Sequence, residues 1–138
     1  MNITKLSFII MISFIVSTCS NDQALRNKAN VLAHKFIITD GHIDVPWRLN
    51  KGYEDLSVRT KSGDFDYVRA KEGGLDVPFM SIYIPSEKTY SEGFELANSL
   101  IDLVENIVES NKDHFQLALT PEDVINNFNN NKISLPMG

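Results

Sequence analysis

The decisive stretch runs Phe36-Ile37-Ile38-Thr39-Asp40-Gly41-His42-Ile43-Asp44-Val45-Pro46-Trp47-Arg48-Leu49. Its first four residues are apolar or β-branched, and Asp40-Gly41 closes them. Such a run fits a strand buried on both faces, as in parallel sheets. His42 and Asp44 stand just past its end. Alternate side chains of extended backbone point the same way, so this imidazole and carboxylate are expected to converge while Ile43 turns into the core. Both groups are suitable zinc ligands, and zinc makes hydroxide available near neutral pH. A lone His-x-Asp is common by chance; its bland alternative is a satisfied pair in which Asp44 caps a turn and His42 is only partly buried. Position favours the metal reading, because barrel active sites are built at the carboxyl ends of strands.

Working outward, Asp22 to Lys35 predicts a short helix with Leu25, Ala29, Leu32 and Ala33 on one side. Lys51 to Gly63 is polar and reads as a loop. Asp66 caps a short helix, Tyr67 to Glu72, which Gly73-Gly74 ends by supplying a left-handed backbone. Val77 to Ile84 predicts a second strand, stopped by Pro85. Ser91 to Asn111 is the clearest helix: Phe94, Leu100, Ile101, Val104, Ile107 and Val108 share one half of its circumference, and five acids take the other. Phe115 to Leu119 predicts a third strand. Thr120-Pro121-Glu122-Asp123 opens a helix to about Phe128, with a capping threonine, a first-turn proline and acids at the positive dipole end. Lys132 to Leu135 begins a fourth strand. Strands alternating with helices argue for an α/β fold with a parallel sheet. From Cys19 to Gly138 the chain is about half of the ~250 residues that an eight-fold barrel takes, so it could supply only about the first half of a (β/α)8 TIM barrel, the fold that the family resemblance of Asp40 to Trp47 implies. Half a ring leaves its inner face without an opposite wall. The isolated segment is therefore expected to aggregate or pack loosely unless it pairs, as a homodimer or with a separate remainder.

The first residues read as an export signal. Leu6 to Val16 is apolar apart from Ser7 and Ser13, too short for a span of ~20 residues but suited to a signal's apolar region. Val16-Ser17-Thr18-Cys19 resembles the lipobox of bacterial lipoproteins, with Thr18 departing from the usual small residue. Cys19 is the single cysteine of the chain, so no internal disulfide can form. The division expected is a lipoprotein signal at 1–18, an acylated Cys19, and an incomplete barrel domain at 19–138, placing the protein on a membrane of a bacterial cell envelope. A net charge of -5, with bases scattered among acids, excludes the basic stripe that nucleic-acid binding needs.

Asp40-Gly41-His42-Ile43-Asp44-Val45-Pro46-Trp47 resembles the opening of the membrane dipeptidases (renal-dipeptidase-like), "DGHNDLPW". Lys71-Glu72-Gly73-Gly74-Leu75, followed by Phe79-Met80-Ser81-Ile82-Tyr83, is similar to the family's "GGVGAQFWSVY" at about the expected distance downstream. The resemblance implies a metal-dependent barrel of the amidohydrolase superfamily that cleaves dipeptides with two zinc ions. It assigns His42 and Asp44 as two ligands of one zinc. It also implies a metal-bridging glutamate shortly after the strand that begins at Ile133, near Pro136-Met137-Gly138, with further histidines and the proton-transferring acid beyond. No catalytic residue is thus assigned within these 138 residues, and the chain alone is expected to be inactive. Asp76-Val77-Pro78 departs from the family's small-small-Gln and reads as a loop variation. Trp47 is expected to pack under the first loop, Arg48 stays undecided, and Tyr83 is expected in the core. His34 and His114 are expected at the surface, and Glu122 and Asp123 only at a helix start. Two rivals remain: another amidohydrolase-type amide or lactone hydrolase, and a non-catalytic surface lipoprotein that keeps the barrel.

Overall fold

The structure, a computed structural model, describes residues 22–138. The signal segment and Cys19 lie outside the described residues. Two compact units meet at Phe36 and Ile37. In the first, residues 22–33 form helix α1, supported by the exposed Arg26–Asp22 pair one turn apart. The main-chain N–H groups of Lys35 and Phe36 both bond back to the Leu32 carbonyl, so the chain is still finishing a helical turn there. Among the described residues no helix is long and apolar enough to cross a membrane.

In the second unit the order is β1 (Thr39–Ile43), α2 (Val45–Lys51), α3 (Tyr67–Gly73), β2 (Val77–Met80), α4 (Tyr90–Ser110), β3 (Phe115–Leu117), α5 (Pro121–Asn129) and β4 (Ile133–Leu135). Two helix starts match their sequence signals closely. The Asp66 carboxylate accepts the Arg69 N–H, and Gly74 takes the left-handed C-cap with φ 78°. Thr120 and Asp123 form a reciprocal capping box. A second box, Thr89 with Glu92, opens α4 one residue before the predicted start.

The strands form two parallel pairs, β1 with β2 and β3 with β4. Main-chain bonds join the pairs: Ser134 N–H to Asp76 C=O at 2.9 Å, Met80 N–H to Pro136 C=O at 2.8 Å, and Ile82 N–H to Gly138 C=O at 2.7 Å. The lateral order is therefore β1-β2-β4-β3, and β3 does not lie beside β2 as a ring of successive strands would place it. Helices α2, α3 and α4 cover one face, where Leu49, Met80, Val104, Ile107, Phe115 and Ile133 form the core. The other face is an apolar concavity of about 550 Å3, lined by Val77, Phe79 and Met137 and flanked by Leu119 and Ile125 of the β3–α5 segment. Among the described residues the sheet is open rather than closed into a barrel.

The first strand differs from its prediction. Phe36 to Thr39 is not a doubly buried strand: Phe36 is 54% and Ile38 41% exposed. The strand begins at Thr39, and only its last residue, Ile43, is half-buried. Among the described residues β1 pairs only with β2, and its Ile37 and Thr39 side opens on the apolar concavity. Asp76 holds it there, its carboxylate accepting the Ile38 N–H at 3.1 Å while its own N–H donates to the Ile38 carbonyl. The Asp76-Val77-Pro78 departure is thus a buried strand junction, not a loop. Asn127 is a comparable buried polar tie, donating its amide to Leu117 C=O and Ser134 Oγ between α5, β3 and β4.

Candidate metal centre

The centre begins with an irregularity in β1. Asp40 pairs with Pro78 but Ile43 pairs with Met80, so β1 carries one more residue than β2 between these points. Such bulges bend a strand and re-aim a side chain, often beside active sites. The Asp40 carboxylate stabilises this one, accepting the His42 N–H at 3.0 Å. Asp44 then leaves the strand as the residue that precedes α2. Its carboxylate makes no capping bond to the helix. Instead Oδ1 lies 3.1 Å from Nε2 of His42.

His42 and Asp44 therefore converge as expected, although through a bulge and a helix start, not through simple alternation. Asp44 makes no capping bond to α2, and the same 3.1 Å contact satisfies the two side chains as a pair. Both side chains are open, 65% and 60% exposed, so a third party can reach them. Two donors each ~2.0–2.2 Å from one tetrahedral zinc ion stand ~3.4 Å apart. The observed spacing and the donor types fit one such ion. Among the described residues no group of three histidine, cysteine or carboxylate side chains could complete the set.

Around this pair the structure corrects several expectations. Trp47 packs edge-on against Tyr83 with ring centroids 5.4 Å apart, and the Lys51 ammonium lies 4.3 Å from its ring centre. Tyr83 is 47% exposed and outside the core. Arg48, undecided from sequence, ties α2 to the following loop through Glu54 at 2.6 Å. His34 is exposed just past the end of α1, with Nδ1 2.9 Å from the Asn30 carbonyl. His114 is half-buried, its ring 4.0 Å from that of Tyr67, where the sequence reading placed it on the surface. Glu122 and Asp123 stay in the first turn of α5, as expected.

A family model for membrane dipeptidases (peptidase family M19) matches residues 26–138. The chain belongs to the membrane dipeptidase family. Both recognised motifs, Asp40 to Trp47 and Lys71 to Tyr83, fall inside the matched span. Mouse dipeptidase 3 is 30% identical over 89 residues, which is 61% of this chain and 18% of that protein. The fold is similar to that of a metallopeptidase from Rhodobacter sphaeroides liganded with a phosphinate mimic of the dipeptide L-Ala-D-Ala (TM-score 0.64, 19% identity, 74% of this chain and 37% of that one). It is also similar to dipeptidase AC, a metallopeptidase (0.64, 22%, covering 74% and 34%). The probable dipeptidase PvdM of Pseudomonas aeruginosa gives 0.65 at 20% identity, covering 80% of this chain and 30% of that one. At these identities the structural likeness establishes the mixed α/β fold. The membrane dipeptidase sequence described here spans about a third of the length of those structures and under a fifth of mouse dipeptidase 3.

Proposed function

We propose that this chain forms the metal-bearing opening of a zinc dipeptidase, with His42 and Asp44 as two ligands of one ion in a two-zinc centre. The observation that carries it is the His42–Asp44 convergence, with Asp44 withheld from helix capping, in a chain of the membrane dipeptidase family. When bound, the metal supplies a water acidic enough to give hydroxide near neutral pH. His42 contributes a neutral imidazole nitrogen and Asp44 a carboxylate oxygen that lowers the net charge of the centre. Asp40 fixes the bulge that aims His42. The remaining ligands and the proton-transferring acid come from the rest of a (β/α)8 barrel, whose later strands would pair with the free edge of β1 and face the apolar concavity. Cys19, by its lipobox-like setting, carries acyl chains that hold the protein to a bacterial envelope membrane. The substrate is a dipeptide, and the chain alone is inactive.

The test is a chimera in which residues 26–138 replace the matching segment of a membrane dipeptidase of known activity. Release of alanine from L-Ala-D-Ala is expected from the chimera and from neither His42→Ala nor Asp44→Ala. Full activity in both variants of a folded chimera would overturn the assignment. Activity of the unextended chain above its His42→Ala control would overturn the division of labour.

A further inference from the structure

Arg48 lies one helical turn beyond Asp44, and its N–H donates to the Asp44 carbonyl at 3.0 Å. Helix α2 has seven residues, too few to be stable without tertiary support. Its inner side is held by Val45, Pro46 and Leu49, which are buried. Its outer side is held by the Arg48 guanidinium, whose Nη1 reaches Glu54 Oε2 at 2.6 Å and Ser62 Oγ at 3.2 Å. Glu54 in turn accepts the N–H groups of Lys61 and Ser62 through Oε1, and the Ser62 hydroxyl through Oε2. These bonds, the Ser62 hydroxyl first among them, hold the Glu54 carboxyl below the usual carboxylate range.

Gly63 completes the arrangement. It has φ 70°, and a Cβ there would sit 2.6 Å from Arg48 Nε and 2.8 Å from Cζ. The guanidinium thus passes directly over a residue that must lack a side chain. Arg48, Gly63 and Phe65 line one hollow of about 480 Å3 together with Asp40 and Asp44. The clamp therefore lies between the loop and the first turn of the helix from which Asp44 reaches His42.

We infer that Arg48, clamped by Glu54 over Gly63, is a positioning residue for the Asp44 ligand: it fixes the start of α2 and so the direction of the Asp44 carboxylate toward His42. This rests on the reading of His42 and Asp44 as metal ligands. Groups that orient metal ligands without touching the ion are worth ~10–100-fold in metal affinity when removed. A planar guanidinium reaches Glu54 and Ser62 through Nη1 and the Phe65 carbonyl through Nη2 at once, whereas lysine supplies only a point charge on a flexible stem.

Two readouts on the full chain test it. Nitrogen-15 spectra of the His42 ring report the Nε2–Asp44 contact without metal, and Co2+ absorption reports the affinity of the pair. Arg48→Ala should move the His42 ring signals toward those of Asp44→Ala and weaken Co2+ at least tenfold, with Arg48→Lys partly restoring both. Glu54→Gln should act in the same direction and decides the matter where Arg48→Ala fails to fold. Arg59→Ala, which breaks the exposed Arg59–Glu72 pair in the same loop, should leave His42 unchanged. Unaltered His42 signals in a folded Arg48→Ala or Glu54→Gln chain would overturn the inference, as would an equal response to Arg59→Ala. If Co2+ bound the barrel-completing chimera equally with and without His42→Ala while His42 still responded to Arg48→Ala, the metal reading would fall and the positioning role would stand.

Discussion

Replacing Asp66 by alanine should be among the most damaging single changes in this fold. Its side chain is fully buried. One oxygen caps α3 by accepting the Arg69 N–H at 2.8 Å; the other accepts the N–H of Thr60 at 3.0 Å and meets Arg69 Nε at 3.2 Å. Loss of a helix cap costs ~1 kcal/mol. Thr60 is itself buried, so its orphaned N–H costs a further ~1–3 kcal/mol. With the Arg69 pairing, the expected loss is ~3–5 kcal/mol, a large share of a whole-domain stability of ~5–15 kcal/mol. The same group predicts acid sensitivity. Burial pushes its carboxyl up, but the bonds from Arg69 and Thr60 and the Arg69 charge outweigh this and hold it below the ordinary value of 3.8. A depressed native value stabilises fully above the unfolded one, and the contribution disappears as pH falls through the native one. Urea unfolding followed by circular dichroism at pH 7 and across pH 5 to 2 measures both effects. Asp66→Asn should fall between wild type and alanine at pH 7 and lose less on acidification. A loss under ~1 kcal/mol for Asp66→Ala at unchanged urea dependence would refute the reasoning.

Three further outcomes follow from single features. Thr120→Ala removes one half of the capping box of α5 and should cost about 1 kcal/mol by thermal or urea unfolding. Gly74→Ala forces a side chain into the left-handed C-cap of α3 and should cost about 1 kcal/mol, measured in the same way. A fatty-acid probe should label the expressed protein at Cys19 and spare Cys19→Ser, equal labelling of both being the contrary result.

What could be read from the sequence was local. Thr120-Pro121-Glu122-Asp123 and Asp66 with Gly74 carry their cap chemistry within a few residues, and the apolar stripe of α4 repeats at the helical period. His42 and Asp44 were legible because two residues of extended chain suffice to bring them together. What was missed depends on distant partners. The run Phe36 to Thr39 has strand composition, but its exposure depends on whether other elements cover its faces, and Ile37 and Thr39 open on the concavity. The placement of β4 between β2 and β3 is set by bonds across more than fifty residues, such as Ser134 to Asp76. Arg48 looked undecided because its partners Glu54, Ser62 and Phe65 are spread along a loop without periodicity. His114 gave no sign of Tyr67 as its neighbour. The local signal for the bulge at Asp40 to Ile43 is Asp-Gly at a strand's end, where the aspartate carboxylate can accept the N–H two residues on.

The central claim is that His42 and Asp44 hold one metal ion together. Zinc titration calorimetry on the chimera that completes the barrel, its His42→Ala and Asp44→Ala forms and the double variant tests this most directly. Ligands of a shared ion are coupled, so the two single losses should not add, and the double variant should bind no more weakly than either single one. Zinc binding by the wild type no tighter than by the double variant, or two losses that simply add, would contradict the account.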